Sequence, residues 1–403
     1  MSVSSRPDHF FQTDSSLDEL NRKSQKSYNT AGDPIKLPSK ILAVVQDPDD
    51  NSAIYIAEGA ATVKRINLSD GKTTDTFKGP AAPVTSLCFS IKSQSSPSRS
   101  LFGGCWDKSI WKWALNPTDP QSRQQLPRRL QGHIDFVKCI LYIPHPTSPF
   151  LLSGGAEGDI IIWDPSTNGK LHVIKLQGRA IQDLAFDPLS DSASPSVFAA
   201  TSERSIYLFN VPVAEGSLQI KSITPSAPIL AHETSVYKLF FDGDGDLWTA
   251  SADKTAKHLV REEGWKADTT LTHPDFVRDV AVHERGGWVV TACRDEEVRV
   301  WNRATGALHH TFSGHYEEVT GLCLVGDLVV SVSIDATARR WSLAPAELER
   351  ARQEARDPRK GQELEEMRAP AEGMLTEEEE RELRELMESE ETDLHDRIAE
   401  DLQ

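Results

Sequence analysis

The chain has 403 residues, 26% of them charged and 38% hydrophobic, a balance that suits a globular protein with a large core. Its net charge of −17 argues against binding of duplex nucleic acid, which needs clustered Lys and Arg. No apolar run approaches the roughly 20 residues needed to span a bilayer, so a membrane role is not expected.

Residues 1–33 are rich in Ser, Asp, Asn and Gln, contain no apolar signal core, and are predicted to be disordered. From residue 34 to residue 343 a period takes over. The first unit, "AIYIAEGAATVKRIN", is recognisable by alternation and position. The second, "PVTSLCFS" to "LFGGCWDKSIWKW", holds Asp107 and Trp113 and contains the Ser/Pro insertion "SIKSQSSPSRS", predicted to be a disordered loop. The third opens with "GHIDFVKCILYI" at His133 and carries Ser153, Glu157 and Trp163; the fourth carries Glu203 and Phe209. The last three open at His232, His273 and His315, spaced by 41 and 42 residues.

Each unit follows one plan. An alternating apolar run comes after the histidine, as with Tyr237, Leu239 and Phe241. A second run ends in Ser/Thr-x-x-x-Asp, and a third holds a Trp six residues beyond the Asp, as in Thr291, Asp295, Trp301 and Ser331, Asp335, Trp341. A fourth leads to the next histidine. Four short strands in about forty residues, with turns between them, make one blade of a β-propeller. Seven such units open near Ser39, Pro80, His133, Gly178, His232, Asp275 and Tyr316. The seventh stops after three strands, at "ARRWSL", and its outer strand is expected from "DPIKLPS", residues 33–39. The predicted fold is therefore all-β, a seven-bladed propeller closed by an N-terminal strand, followed from residue 344 by a helical, acidic C-terminal tail.

These units resemble the WD-repeat family. Gly132-His133 and Gly314-His315 match its Gly-His element, and Trp163-Asp164 matches its Trp-Asp element, with Trp301-Asn302 and Trp341-Ser342 close to it. The resemblance implies a structural network in which Asp accepts from His, His bonds the Ser or Thr hydroxyl, and that hydroxyl bonds the Trp indole. It assigns His232, Thr249 and Asp253 to one blade (without a Trp, since Leu259 takes that slot). It assigns His273, Thr291, Asp295 and Trp301 to the next, and His315, Ser331, Asp335 and Trp341 to the last. It also implies that partners dock on the face carrying the turn Asp, where Trp106, Ala252, Arg294 and Ile334 would point with Phe136, Ser235, Phe276 and Glu318. Trp106, Phe136, Phe276 and Arg294 are the residue types that dominate interfaces, although the same residues could serve as packing at the blade rims.

Enzymatic chemistry is not expected. Ser, His and Asp in one unit could form a hydrolase triad, but a nucleophile site should occur once, whereas this set recurs. "DGDGD", Asp242 to Asp246, lacks the Gly that a calcium loop needs at Leu247 and reads as a tight turn. His309 and His310 are strand neighbours and face opposite ways, which disfavours joint chelation. No motif marks a metal or cofactor. The five cysteines, Cys88, Cys105, Cys139, Cys293 and Cys323, form no CxxC pair and suit a reducing, intracellular compartment, nucleus or cytoplasm. Cys88, Cys139 and Cys323 fall at equivalent places in first strands and read as small core residues.

Between Met374 and Gln403 thirteen acids stand against three bases, most of the net charge of the chain. Thr376 and Glu379 form a capping box, and Leu383, Leu386, Met387 and Leu394 run down one side of the predicted helix. That helix is either a solvated arm or a partner-binding one. The expected function is a non-catalytic scaffold binding other proteins in a complex. The alternatives are a chaperone-like escort whose acidic tail holds a basic client such as a histone or ribosomal protein, and a non-catalytic subunit or substrate receptor of a modifying enzyme.

Overall fold

Backbone pairing in the computed structural model produces seven antiparallel sheets that follow one another along the chain. The structure describes residues 22–356, apart from residues 25, 27, 93–97, 116–126, 146–147, 177–178 and 214–222. The first strands of the seven blades are Ile41–Gln46, Val84–Phe89, Val137–Ile143, Ile181–Phe186, Val236–Phe241, Val277–His283 and Val319–Val325. Each touches the next, and Val319–Val325 touches Ile41–Gln46, so the ring closes.

Alternation builds the blades, and burial on both faces selects their second strands. Ala53–Glu58, Phe150–Gly155 and Leu247–Ser251 are buried at every position, because each sits between two neighbouring blades. The core is accordingly a set of layers between blades. One holds Ile143, Phe150, Leu152 and Ile162 of the third blade against Ile181, Leu184 and Phe209 of the fourth. Cys139 and Cys323 lie in such layers, and Cys88 packs against one while half-buried.

The seventh blade is completed as expected. Ile35–Lys36 pairs antiparallel with Thr337–Ser342, in the register Ile35 to Ala338 and Lys36 to Thr337. The fourth blade shows three strands among the described residues, with a single bridge from Ile206 to Ile229 beside the third. The tight turn at Asp242 is present: its Oδ1 accepts from the amides of Asp244 (3.1 Å) and Asp246 (3.0 Å), and Gly245 takes a φ of 83°. A helix, Pro345–Arg356, follows the last blade and buries Leu348. Of the insertion expected to be a disordered loop, residues 90–100, Arg99 and Ser100 instead open the strand Arg99–Cys105, and the Ser90 amide donates to the Ser100 carbonyl (2.9 Å). Residues 93–97 and the tail residues Leu383, Leu386, Met387 and Leu394 lie outside the described residues.

Residues 22–33 depart from the expected disorder. Arg22, Lys23, Ser24 and Lys26 are helical. The Asn29 carbonyl accepts from the buried Arg339 guanidinium (3.0 Å), and the Gly32 carbonyl accepts from the Arg340 amide (2.6 Å). Composition is blind to such partners, because the donors and the ion-pair partner that order this polar segment come from residues some three hundred positions away.

Candidate interaction face

One end of the ring is built from the turns between second and third strands. In each blade the residue at the start of that turn donates its amide to the residue just before the first strand. Trp106 donates to Pro83 (3.0 Å), Ala252 to Ser235 (2.9 Å), Arg294 to Phe276 (2.8 Å) and Ile334 to Glu318 (3.2 Å). In the third blade Ala156 donates to Phe136 (2.8 Å) in the same way, so the face residues expected from the sequence share one rim, one each from the second and third blades and two each from the fifth, sixth and seventh.

Polar networks brace this rim from below. In the seventh blade His315 Nδ1 lies 2.8 Å from Asp335, its Nε2 lies 2.8 Å from Ser331 Oγ, and the Trp341 indole donates to that oxygen at 2.8 Å. Burial opposes charge on Asp335, but bonds from His315 and Thr337 outweigh it and hold its carboxyl below the usual range. Burial also keeps His315 below the usual imidazole range despite that carboxylate. The fifth blade repeats the arrangement through His232, Asp253 (2.9 Å) and Thr249 (2.7 Å), without an indole.

Two blades differ from expectation. In the sixth, His273 bonds Thr291 (2.8 Å) and Trp301 donates to the same hydroxyl (2.9 Å), but His273 Nδ1 turns to the Leu271 carbonyl (3.1 Å). Asp295 is taken instead by Arg299, at 3.1 and 2.6 Å, because a guanidinium four residues on offers a charged, two-pronged donor. The third blade, by contrast, makes the full network with Glu157 in place of Asp. His133 lies 2.5 Å from Glu157 and 2.6 Å from Ser153, and Trp163 donates to Ser153 at 2.8 Å.

The rim has two unlike sectors. Over the second and third blades Trp106 stacks on Phe136, with ring centres 5.2 Å apart and planes 18° from parallel. Both rings stay about two-fifths exposed, and the neighbouring Ile134 is 75% exposed. Over the sixth blade the exposed Arg294 lies 5.2 Å above the half-buried Phe276 ring and 3.9 Å from Asp275. Beside it, Glu296, Glu297, Glu317 and Glu318 gather near the helical residues Arg22, Lys23 and Lys26.

The inner edge of the face was not foreseen. In all seven blades the first strand bulges after its opening residue, as between Val84 and Ser86 or Val277 and Asp279. A bulge leaves one residue unpaired and re-aims it. Here Leu42, Thr85, Lys138, Gln182, Tyr237, Arg278 and Thr320 line a central cavity of about 320 Å³ that Trp106 also borders. Four side chains strap adjacent blades across it. Thr85 donates to the Val137 carbonyl and Thr320 to that of Ile41, both at 2.8 Å. Asp183 accepts from the Leu239 amide (3.0 Å) and Asp279 from that of Leu322 (2.8 Å). The signal was a polar pair after the first residue of otherwise apolar strands: "IQD", "VYK", "VRD".

Among the described residues no His, Cys, Asp and Glu cluster has a metal-holding geometry, and no helix is long and apolar enough to cross a membrane. Burial pushes the Cys105, Cys293 and Cys323 thiols up to about 12. These thiols stay protonated and are poor nucleophiles.

Comparison with known proteins agrees with this geometry. The family model described as "WD domain, G-beta repeat" matches residues 71–114, 124–164 and 265–302. A WD repeat-containing protein of Schizosaccharomyces pombe is 34% identical over 348 residues, covering 84% of this chain and 89% of its own. The nuclear distribution protein nudF of Aspergillus niger is 26% identical, over 81% of this chain and 67% of its own. Human Striatin-4 is 22% identical over 66% of this chain, which matches about a third of that relative's length. Repeats, ring closure and relatives converge, and the chain belongs to the WD-repeat family of seven-bladed β-propellers.

Proposed function

We propose that the protein is a non-catalytic interaction scaffold whose propeller face supports assembly of a multiprotein complex. The observation that carries this reading is the exposed Trp106–Phe136 stack with Ile134 beside it. Two aromatic rings held rigidly at a rim present apolar area at small entropic cost, and partners anchor on such residues. The adjoining cavity offers polar atoms: Lys138 Nζ donates to Gln182 at 3.0 Å, and Lys238 pairs with Asp183 at 3.3 Å. An apolar partner side chain on the rings, with polar neighbours directed to the cavity, would use both.

The test is quantitative affinity purification of the full chain beside a Trp106→Ala/Phe136→Ala variant. The reading expects a defined set of proteins to be lost from the variant while its melting temperature holds. If every co-purifying protein persists, the face is not the binding element. A second reading, escort of a basic client, draws on the acidic stretch from Met374 to Gln403. Truncation after Arg356, which keeps the buried Leu348, should remove basic partners alone if that reading holds. The unpaired cysteines suit residence in a reducing compartment, nucleus or cytoplasm.

A further inference from the structure

The repeat supplies its own control for what is unusual at the rim. At the turn after the second strand, blades two, three, five, six and seven place Lys108, Gly158, Lys254, Glu296 and Ala336 in one position, all at positive φ between 64° and 88°. The next position is a hydroxyl residue in three of these blades: Ser109, Thr255 and Thr337. Thr255 and Thr337 cap the turn Asp, at 2.5 and 2.7 Å. Only the sixth blade among these reads Asp295-Glu296-Glu297, three acids in succession, with Glu where two others carry Lys.

That turn has an occupant. Arg22 donates to both carboxylate oxygens of Glu296, at 2.6 and 2.7 Å, and Lys26 donates to Oε2 at 2.7 Å. Lys23 pairs with Glu317 of the seventh blade at 2.8 Å. The Glu296 side chain is only 7% exposed, so its charge is desolvated beneath the cations that neutralise it. Burial alone would raise its pKa, and the Arg22 and Lys26 bonds more than reverse that. Arg22 and Lys26 are four residues apart, so one helical turn brings both to the same carboxylate.

We propose that Arg22, Lys23 and Lys26 form a built-in ligand of the sixth-blade acidic turn, and that a basic, helical segment of a partner binds there by exchanging with them. Binding between charged groups at a rim exchanges more readily than binding through a core-like apolar contact, because salt and competing cations weaken it. A tethered ligand acts as a competitor at an effective concentration on the order of millimolar. This goes beyond the scaffold reading and does not depend on it, since the Trp106–Phe136 sector lies on other blades.

The test uses the full chain and, as probe, a fluorescent peptide copying its residues 14–30. The wild type should bind the probe weakly. An Arg22→Ala/Lys26→Ala variant should bind it at least about tenfold more tightly, because the tethered competitor is gone. Adding Glu296→Lys should abolish that gain while keeping the turn, since Lys108 and Lys254 already adopt its backbone conformation. The gain should also shrink as the Debye length falls from about 10 Å at 0.1 M salt to about 3 Å at 1 M. Equal probe binding by wild type and double variant would overturn the proposal. So would a gain that survives Glu296→Lys, or a double variant that melts lower without binding the probe better, which would make the segment a brace alone.

Discussion

The two sectors of the propeller face solve the same exposure problem differently. Over blades two and three, Trp106 and Phe136 stack on each other and leave about two-fifths of each to solvent. Over blades six and seven, carboxylates are matched by cations from the same chain, to the point that Glu296 is nearly enclosed. An apolar patch gives up little by waiting uncovered, whereas clustered acids repel one another until cations arrive. The apolar sector is open for a partner, and the acidic one is already satisfied.

The largest expected effect breaks the open sector. Trp106→Ala with Phe136→Ala should cost a partner about 2 to 4 kcal/mol of binding, as buried aromatic anchors do. Stability should change by under about 1 kcal/mol, because these rings are exposed in the free protein. Titration of the purified partner together with a urea melt would check both halves of that statement.

Acidification should come next. Burial and the Arg299 charge push His273 down to about 4 from an ordinary 6.5, so between those values the unfolded chain binds the proton and the folded chain refuses it. Stability should therefore be full above pH 6.5 and fall as pH drops, by up to about 3 kcal/mol near pH 4 from this residue. His133 and His315, also held low by burial, act in the same direction. A His273→Gln variant with a shallower slope in urea melts between pH 7 and pH 5 is the expected result; an unchanged slope would count against it.

Asp335→Ala should lower stability by about 2 kcal/mol, since it removes the carboxylate partner of His315 Nδ1 and releases Thr337 beneath the acidic sector. An unaltered melt would show that the network does not brace the rim. The smallest effect is expected for Glu296→Gly. Three ion-pair bonds are lost, but glycine relieves a φ of 77°, so the net change in a urea melt should stay within about 1 kcal/mol.

Blade number, the closing strand at Ile35–Lys36 and the networks on His232 and His315 were legible because each rests on spacing within one repeat. The third-blade network was harder to read because Glu157 reaches the histidine from the place where the repeat usually has Asp. The sixth departs from the pattern because Arg299 competes for Asp295, and a spacing rule does not weigh competing donors. The bulged residues that line the cavity, and the segment seated on Glu296, depend on contacts between blades or across most of the chain. Of the residues expected at the partner face, Trp106 and Phe136 proved to be a stacked pair, and Phe276 and Arg294 a separate one.

The division of the face can be read in one labelling experiment. Carbodiimide modification of carboxylates and oxidative labelling of Trp106, followed by mass spectrometry, would be run on wild type and on the Arg22→Ala/Lys26→Ala variant. The account expects Trp106 to label freely in both, and Glu296 to label only in the variant. Equal labelling of Glu296 in the two proteins, or protection of Trp106 in the free wild type, would contradict it.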